Sequence, residues 1–254
     1  MKKIRLILTI LLAVSLISSN LLASEATLLD ELKAAGIPND ELNQFLAGFW
    51  AHYLFQSTSG SVATRNLFKS VGLINVVTTP LNVTLTQYGK ETMRNMLMVL
   101  RDEFISIGVG TLGAGVAESK AQYLFTDDNM RARWLAAGLI TVVPYDTSDP
   151  DHRPKSISLT SYGRIVARKM YDLTNALIAL GIPGGGVAES MAENLFLDAQ
   201  LNLDWKNAGF ISVEYDITGK ITNITLTEYG TAVVKQMYDL SATLRALADR
   251  KSVV

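Results

Sequence analysis

One pentapeptide pattern recurs three times along this 254-residue chain, and it constrains the fold more than any other feature. Leu85-Thr86-Gln87-Tyr88-Gly89, Leu159-Thr160-Ser161-Tyr162-Gly163 and Leu226-Thr227-Glu228-Tyr229-Gly230 spell L-T-x-Y-G at spacings of 74 and 67. Each is preceded by Gly-(Leu/Phe)-Ile, at Gly72-Leu73-Ile74, Gly138-Leu139-Ile140 and Gly209-Phe210-Ile211. Four positions before those glycines stand Phe68, Trp134 and Trp205, and further upstream comes Leu-Phe, at Leu54-Phe55, Leu124-Phe125 and Leu195-Phe196. Four anchors kept in one order at a period of about 70 residues mark one supersecondary unit written three times. The second and third copies also share Gly115-Val116-Ala117-Glu118-Ser119 and Gly186-Val187-Ala188-Glu189-Ser190, so they are the closer pair.

The spacing within one copy predicts its elements. In the second, Val116 to Phe125 has helical periodicity, and Thr126-Asp127-Asp128 is a turn whose acids suit the N-terminus of a second helix running to about Ala137. Gly138 fits the left-handed cap that ends such a helix. Leu139 to Tyr145 and Lys155 to Thr160 read as two strands around the loop Asp146 to Pro154, and Asp216-Ile217-Thr218-Gly219 makes a tighter loop in the third copy. A long helix follows each L-T-x-Y-G, from about Tyr162 to Leu180 in the second copy, and ends at a glycine, Gly108 or Gly181; Gly36 closes a first short helix. The fold expected is mainly α with small β-hairpins, a tandem array of three winged-helix-like units at 27–107, 108–180 and 181–250. A unit of about 70 residues buries only about 60% of its unfolded surface, so the three should pack on one another.

Trp134-Leu135-Ala136-Ala137-Gly138-Leu139-Ile140, Asp149-Pro150-Asp151-His152-Arg153 and Ile157-Ser158-Leu159-Thr160-Ser161-Tyr162-Gly163 together resemble the recognition-helix exit, wing and following helix of MarR-type winged helix-turn-helix proteins. The resemblance implies a recognition face of Asn129, Arg131 and Arg133 and a wing contact at Arg153; Arg65 and Lys69 occupy the matching helix of the first copy. It also implies dimerisation through terminal helices, here Leu28–Ala35 and Tyr229–Asp249. The third copy lacks the charged Asp-x-Asp-x-Arg wing, and Asn75 to Val83 in the first carries no charge.

Charge argues against DNA as the partner. The recognition segments Ser57–Gly72, Asp127–Gly138 and Asp198–Gly209 carry +2, 0 and −1, and the wings Asn75–Val83, Asp146–Lys155 and Glu214–Asn223 carry 0, −1 and −1. Phosphate contacts need cations on that face, and two of three copies lack them.

The N-terminus has the layout of a bacterial secretory signal peptide: Lys2, Lys3 and Arg5, an apolar run from Leu6 to Ile17, then Ser18, Ser19 and Asn20. Cleavage is expected after Ala23 or Ala26; an uncleaved leader acting as a membrane anchor is the alternative. Removing residues 1–23 takes three basic residues and no acidic one, leaving 20 basic against 24 acidic, net −4; loss of Glu25 as well gives −3. The expected product is periplasmic or secreted and mildly acidic, and no later segment is apolar enough to span a bilayer.

No cysteine and only two histidines, His52 and His152, leave no disulfide framework or thiol nucleophile and no paired metal ligands. Gly108-Val109-Gly110-Thr111-Leu112-Gly113 spells G-x-G-x-x-G but follows a helical stretch instead of a strand, so no nucleotide or other cofactor is expected. Glu118 and Glu189 recur in Val-Ala-Glu-Ser and read as first-turn acids at helix N-termini. The expectation is a non-enzymatic structural or interaction protein that contacts a protein partner or another copy of itself. A DNA-binding regulator is the alternative.

Overall fold

The computed structural model describes residues 23–38, 46–110, 114–146, 153–184 and 186–251; the leader expected before residue 23, His152 and Gly113 lie outside them. Helix α1 spans 23–34. It is followed by α2 (Leu46–Phe55), α3 (Ser59–Ser70), β1 (Ile74–Thr78), β2 (Leu81–Leu85), α4 (Gln87–Arg94), a π-helical stretch over Asn95–Leu100, and α5 (Arg101–Ser106). Next come α6 (Ala114–Thr126), α7 (Asp128–Ala136), β3 (Ile140–Pro144), β4 (Pro154–Leu159) and α8 (Ser161–Ala179). The remainder is α9 (Val187–Leu197), α10 (Ala199–Asn207), β5 (Ile211–Tyr215), β6 (Ile221–Leu226) and α11 (Glu228–Lys251). The chain is thus mainly α with three small antiparallel hairpins, β1–β2, β3–β4 and β5–β6.

The recurring glycine has a local cause. Gly72, Gly138 and Gly209 hold φ of 76°, 71° and 74°, where a Cβ would be strained. This left-handed residue lets the next N–H reach back five residues: Leu73 donates to the Phe68 carbonyl, Leu139 to that of Trp134 and Phe210 to that of Trp205, each at 2.9 Å. The pattern is the Schellman cap, which uses the backbone carbonyl four positions before the glycine whatever its side chain and turns the chain from helix into the first strand. At the other end of a helix, Asp198 accepts the N–H groups of Gln200 and Leu201 at 3.0 Å and starts α10.

Strand register follows the alternation of side chains. Ile74 faces Leu85 and Val76 faces Val83; Ile211 faces Leu226 and Val213 faces Ile224. Ile74, Val83, Ile211 and Ile224 are buried, while Val77 and Thr225 between them point outward.

Contacts gather the chain into two compact units, and the second sequence copy contributes elements to both. The first unit draws on residues 1–102, 118–128 and 142–157. Its core holds Leu28, Leu32, Leu54, Phe68, Met96 and Leu97, all with no exposed area, and Trp50 stacks on Phe68 at 5.7 Å. The second unit draws on 103–117, 129–141 and 158–254. There Phe104 meets Trp134 edge-on at 6.0 Å, with Leu177, Ala188, Ala192 and Leu195 fully buried. Each fully buried Leu or Phe contributes about 1.5–3 kcal/mol from apolar burial.

Candidate interaction surface

The L-T-x-Y-G motif resolves into three separate jobs. Its Thr is the N-cap of the helix that follows: Thr86, Thr160 and Thr227 accept the N–H of Gly89, Gly163 and Gly230 at 2.9, 2.8 and 2.9 Å. The same hydroxyls donate to the carbonyls of Gly72, Gly138 and Gly209 at 2.5, 2.7 and 2.7 Å, tying the helix start to the helix end that precedes the hairpin. Its Gly lets backbones touch. A Cβ on Gly89, Gly163 or Gly230 would sit 2.0, 1.8 or 1.9 Å from the carbonyl oxygen of Leu73, Leu139 or Phe210.

The Tyr reaches a different hairpin from the one beside it. Tyr88 donates its phenolic O–H to the Pro154 carbonyl at 3.0 Å, at the start of β4, and Arg153 sets its guanidinium 5.0 Å from the ring centre. Within the other unit, Tyr162 donates to the Ile221 carbonyl at 2.8 Å, at the start of β6, and Lys220 places its ammonium 5.0 Å from that ring. In both cases a tyrosine clasps the first residue of the next copy's second strand, and the cation just before it lies over the ring face. Burial raises the pKa of the Tyr162 phenol, and the nearby Asp216 carboxylate adds to the rise.

A second recurring contact joins a preceding helix to a strand edge. Glu31 on α1 accepts the Leu85 N–H at 2.7 Å and pairs with Lys90 at 3.3 Å; Glu103 on α5 accepts the Leu159 N–H at 2.7 Å and pairs with Arg164 at 3.4 Å. Both glutamates lie five residues before the glycine that closes their helix, Gly36 and Gly108.

Against this frame the third copy is uncovered. Tyr162, Met170 and Leu173 on α8 match Tyr229, Met237 and Leu240 on α11, counted from the motif. Met170 and Leu173 are 7% and 3% exposed, whereas Tyr229, Met237 and Leu240 are 61%, 59% and 60% exposed. Each of these three side chains leans toward solvent among the described residues. Trp134 donates its indole N–H to the buried Glu193 at 2.7 Å, while the matching Trp205 is only half-buried.

The residues singled out for nucleic acid are dispersed into other work. Arg65 donates to the carbonyls of Leu54 and Gln56 at 2.6 and 2.7 Å, closing the end of α2. Arg131 is 8% exposed, Arg133 donates to Asn194 Oδ1 at 2.8 Å, and Arg153 lies against the Tyr88 ring. Lys69, in the last turn of α3, and Asn129, on α7, are exposed. His52 lies 3.2 Å from Glu25 on the surface of the first unit. Glu189 accepts the Gly186 N–H at 2.7 Å and caps α9 as its position suggests. Glu118 does not match it: α6 begins at Ala114, so Glu118 falls past the first turn, where burial pushes its carboxyl above the usual range and Arg101 only partly offsets this. Among the described residues no three His, Asp or Glu side chains gather as a metal site, and no helix is long and apolar enough to cross a membrane.

No protein-family model, curated protein or solved structure matches the chain.

Proposed function

We propose that this chain is an exported, non-enzymatic interaction protein of winged-helix-like units, and that the face of α11 bearing Tyr229, Met237 and Leu240 takes up a protein partner or a second copy of the chain. The observation that carries this reading is the contrast between exposed Met237 and Leu240 and their buried counterparts Met170 and Leu173 on α8, with Tyr229 exposed where Tyr162 is half-buried. An apolar line of this kind, flanked by polar residues, is more often an interaction site than an accident of the surface. The tyrosine supplies the anchor that interfaces favour, an aromatic body with a polar tip. The layout of the first 23 residues supports export, and the acidic balance of the rest supports a protein over a nucleic acid as partner.

The DNA-binding alternative makes the opposite demand on the surface, and a titration separates the two. Labelled duplex at low salt should show no sub-micromolar, steeply salt-dependent binding to the protein; such binding would replace this reading with the regulator.

A further inference from the structure

The N–H just before the motif Thr, on the outer edge of the second hairpin strand, is taken up from a neighbouring helix in two copies and left open in the third. Thr86, Thr160 and Thr227 donate their N–H to Leu73, Leu139 and Phe210, which fixes the same register in all three hairpins. The N–H one residue earlier, and that two residues before it, then point away from the partner strand. In the second hairpin these N–H groups, on Leu159 and Ile157, go to Glu103 Oε2 at 2.7 Å and Asn95 Oδ1 at 2.9 Å. In the first, Leu85 goes to Glu31 Oε2 at 2.7 Å. A cation completes each acid, Arg164 for Glu103 and Lys90 for Glu31.

The third copy has lost every member of that set except the N–H groups. Five residues before Gly181 stands Ala176 where the others have Glu, and the basic position is Thr231. The Leu226 N–H has no acceptor among the described residues, whereas its counterparts Leu85 and Leu159 have Glu31 and Glu103. Beside Ala176 an open groove of about 430 Å³ lies along α8 and β6, with Leu173, Ala176, Leu180, Ile224 and Leu226 on its apolar wall. Lys169 is at its edge, and Asp172 beside it is held by Arg168 at 3.0 Å. The volume falls in the range of small-molecule sites, which combine apolar walls with a few fixed polar groups.

The geometry points to a binding site for a small amphipathic carboxylate. Its carboxylate replaces the missing glutamate, accepting the Leu226 N–H with Lys169 as counter-charge, and its short apolar tail lies along Leu173, Ala176 and Leu180. Alternate N–H groups on a strand edge stand about 6.6 Å apart, so one carboxylate takes one of them, as Glu31 and Glu103 do for Leu85 and Leu159, and bonds to an ionised acceptor are the stronger kind.

The test is titration of the full chain with hexanoate, hexanol and a glutamate-containing peptide, followed by amide shifts in NMR. Hexanoate should bind with a Kd below about 1 mM and shift the Leu226 amide. Hexanol should bind about tenfold or more weakly, for want of the charge-assisted bonds. Ala176→Glu, which returns a built-in carboxylate, and Ala176→Leu, which fills the groove without one, should each abolish the hexanoate response; whichever variant keeps the native spectrum suffices. Equal binding of hexanoate and hexanol, an unchanged response in the folded variants, or binding of the acidic peptide alone would overturn the proposal. None of these outcomes bears on the α11 face, so the two readings fail separately.

Discussion

At the scale of single residues, the repeated motif is mostly a statement about backbone approach. Gly163 sits where any side chain would collide with the Leu139 carbonyl oxygen 1.8 Å away, and backbone cannot swing aside as a long side chain can. Gly163→Ala should therefore cost about 1–3 kcal/mol or more, read as a lower midpoint in urea. Gly115→Ala provides the control, since nothing lies within 4 Å of an added Cβ there, and its midpoint should hold or rise. The requirement for Thr and Gly was legible in the sequence as recurrence, and the Gly-(Leu/Phe)-Ile signal correctly located the helix ends. What the pattern could not convey was the reason. The collision partner of Gly163 lies 24 positions earlier, across a hairpin whose length differs between copies.

At the scale of elements, the hairpins and helices agree with their periodicity to within a few residues. The strand expected at Leu139 to Tyr145 spans Ile140–Pro144, and the helix expected from Tyr162 to Leu180 spans Ser161–Ala179. One departure is the helix after the first motif, which reads as regular from Met93 to Ile107 but widens into a π-helical turn over Asn95–Leu100. Helical periodicity is blind to one extra residue in a turn. Asn95, at the start of that turn, carries the side chain that accepts the Ile157 N–H, so the irregularity coincides with a contact to a distant strand. The tyrosine clasps were also hidden, because Tyr88 and Pro154 stand 66 positions apart and no local rule links them. These clasps have a measurable share in stability. Tyr162→Phe and Tyr88→Phe should each lose about 0.5–1.5 kcal/mol, because the Ile221 and Pro154 carbonyls lose a donor. Tyr229→Phe, whose side chain has no such partner in its own copy, should leave thermal unfolding unchanged. A loss at Tyr229 equal to that at Tyr162 would mean the third tyrosine is engaged in the same way.

At the scale of the whole molecule, the sequence repeats three times while contacts gather the chain into two compact units, because each clasp ties one copy's tyrosine to the next copy's hairpin. Composition alone gives near neutrality, with 23 basic and 24 acidic residues. Position decides what those charges do. Arg65, Arg133 and Arg153 bind carbonyls, an amide and a ring of their own chain, and Arg131 is buried, while Tyr229, Met237 and Leu240 on α11 stand exposed. The most direct measurement is photo-crosslinking in producing cells, with a photoreactive residue placed singly at 229, 237 or 240 and at the exposed control positions Val77 and Leu135. The α11 positions should yield one discrete protein adduct, at twice the chain mass for a second copy or at another fixed mass for a different partner, and the controls none. Equal labelling from all five positions, no adduct from α11, or an adduct to nucleic acid would contradict the account.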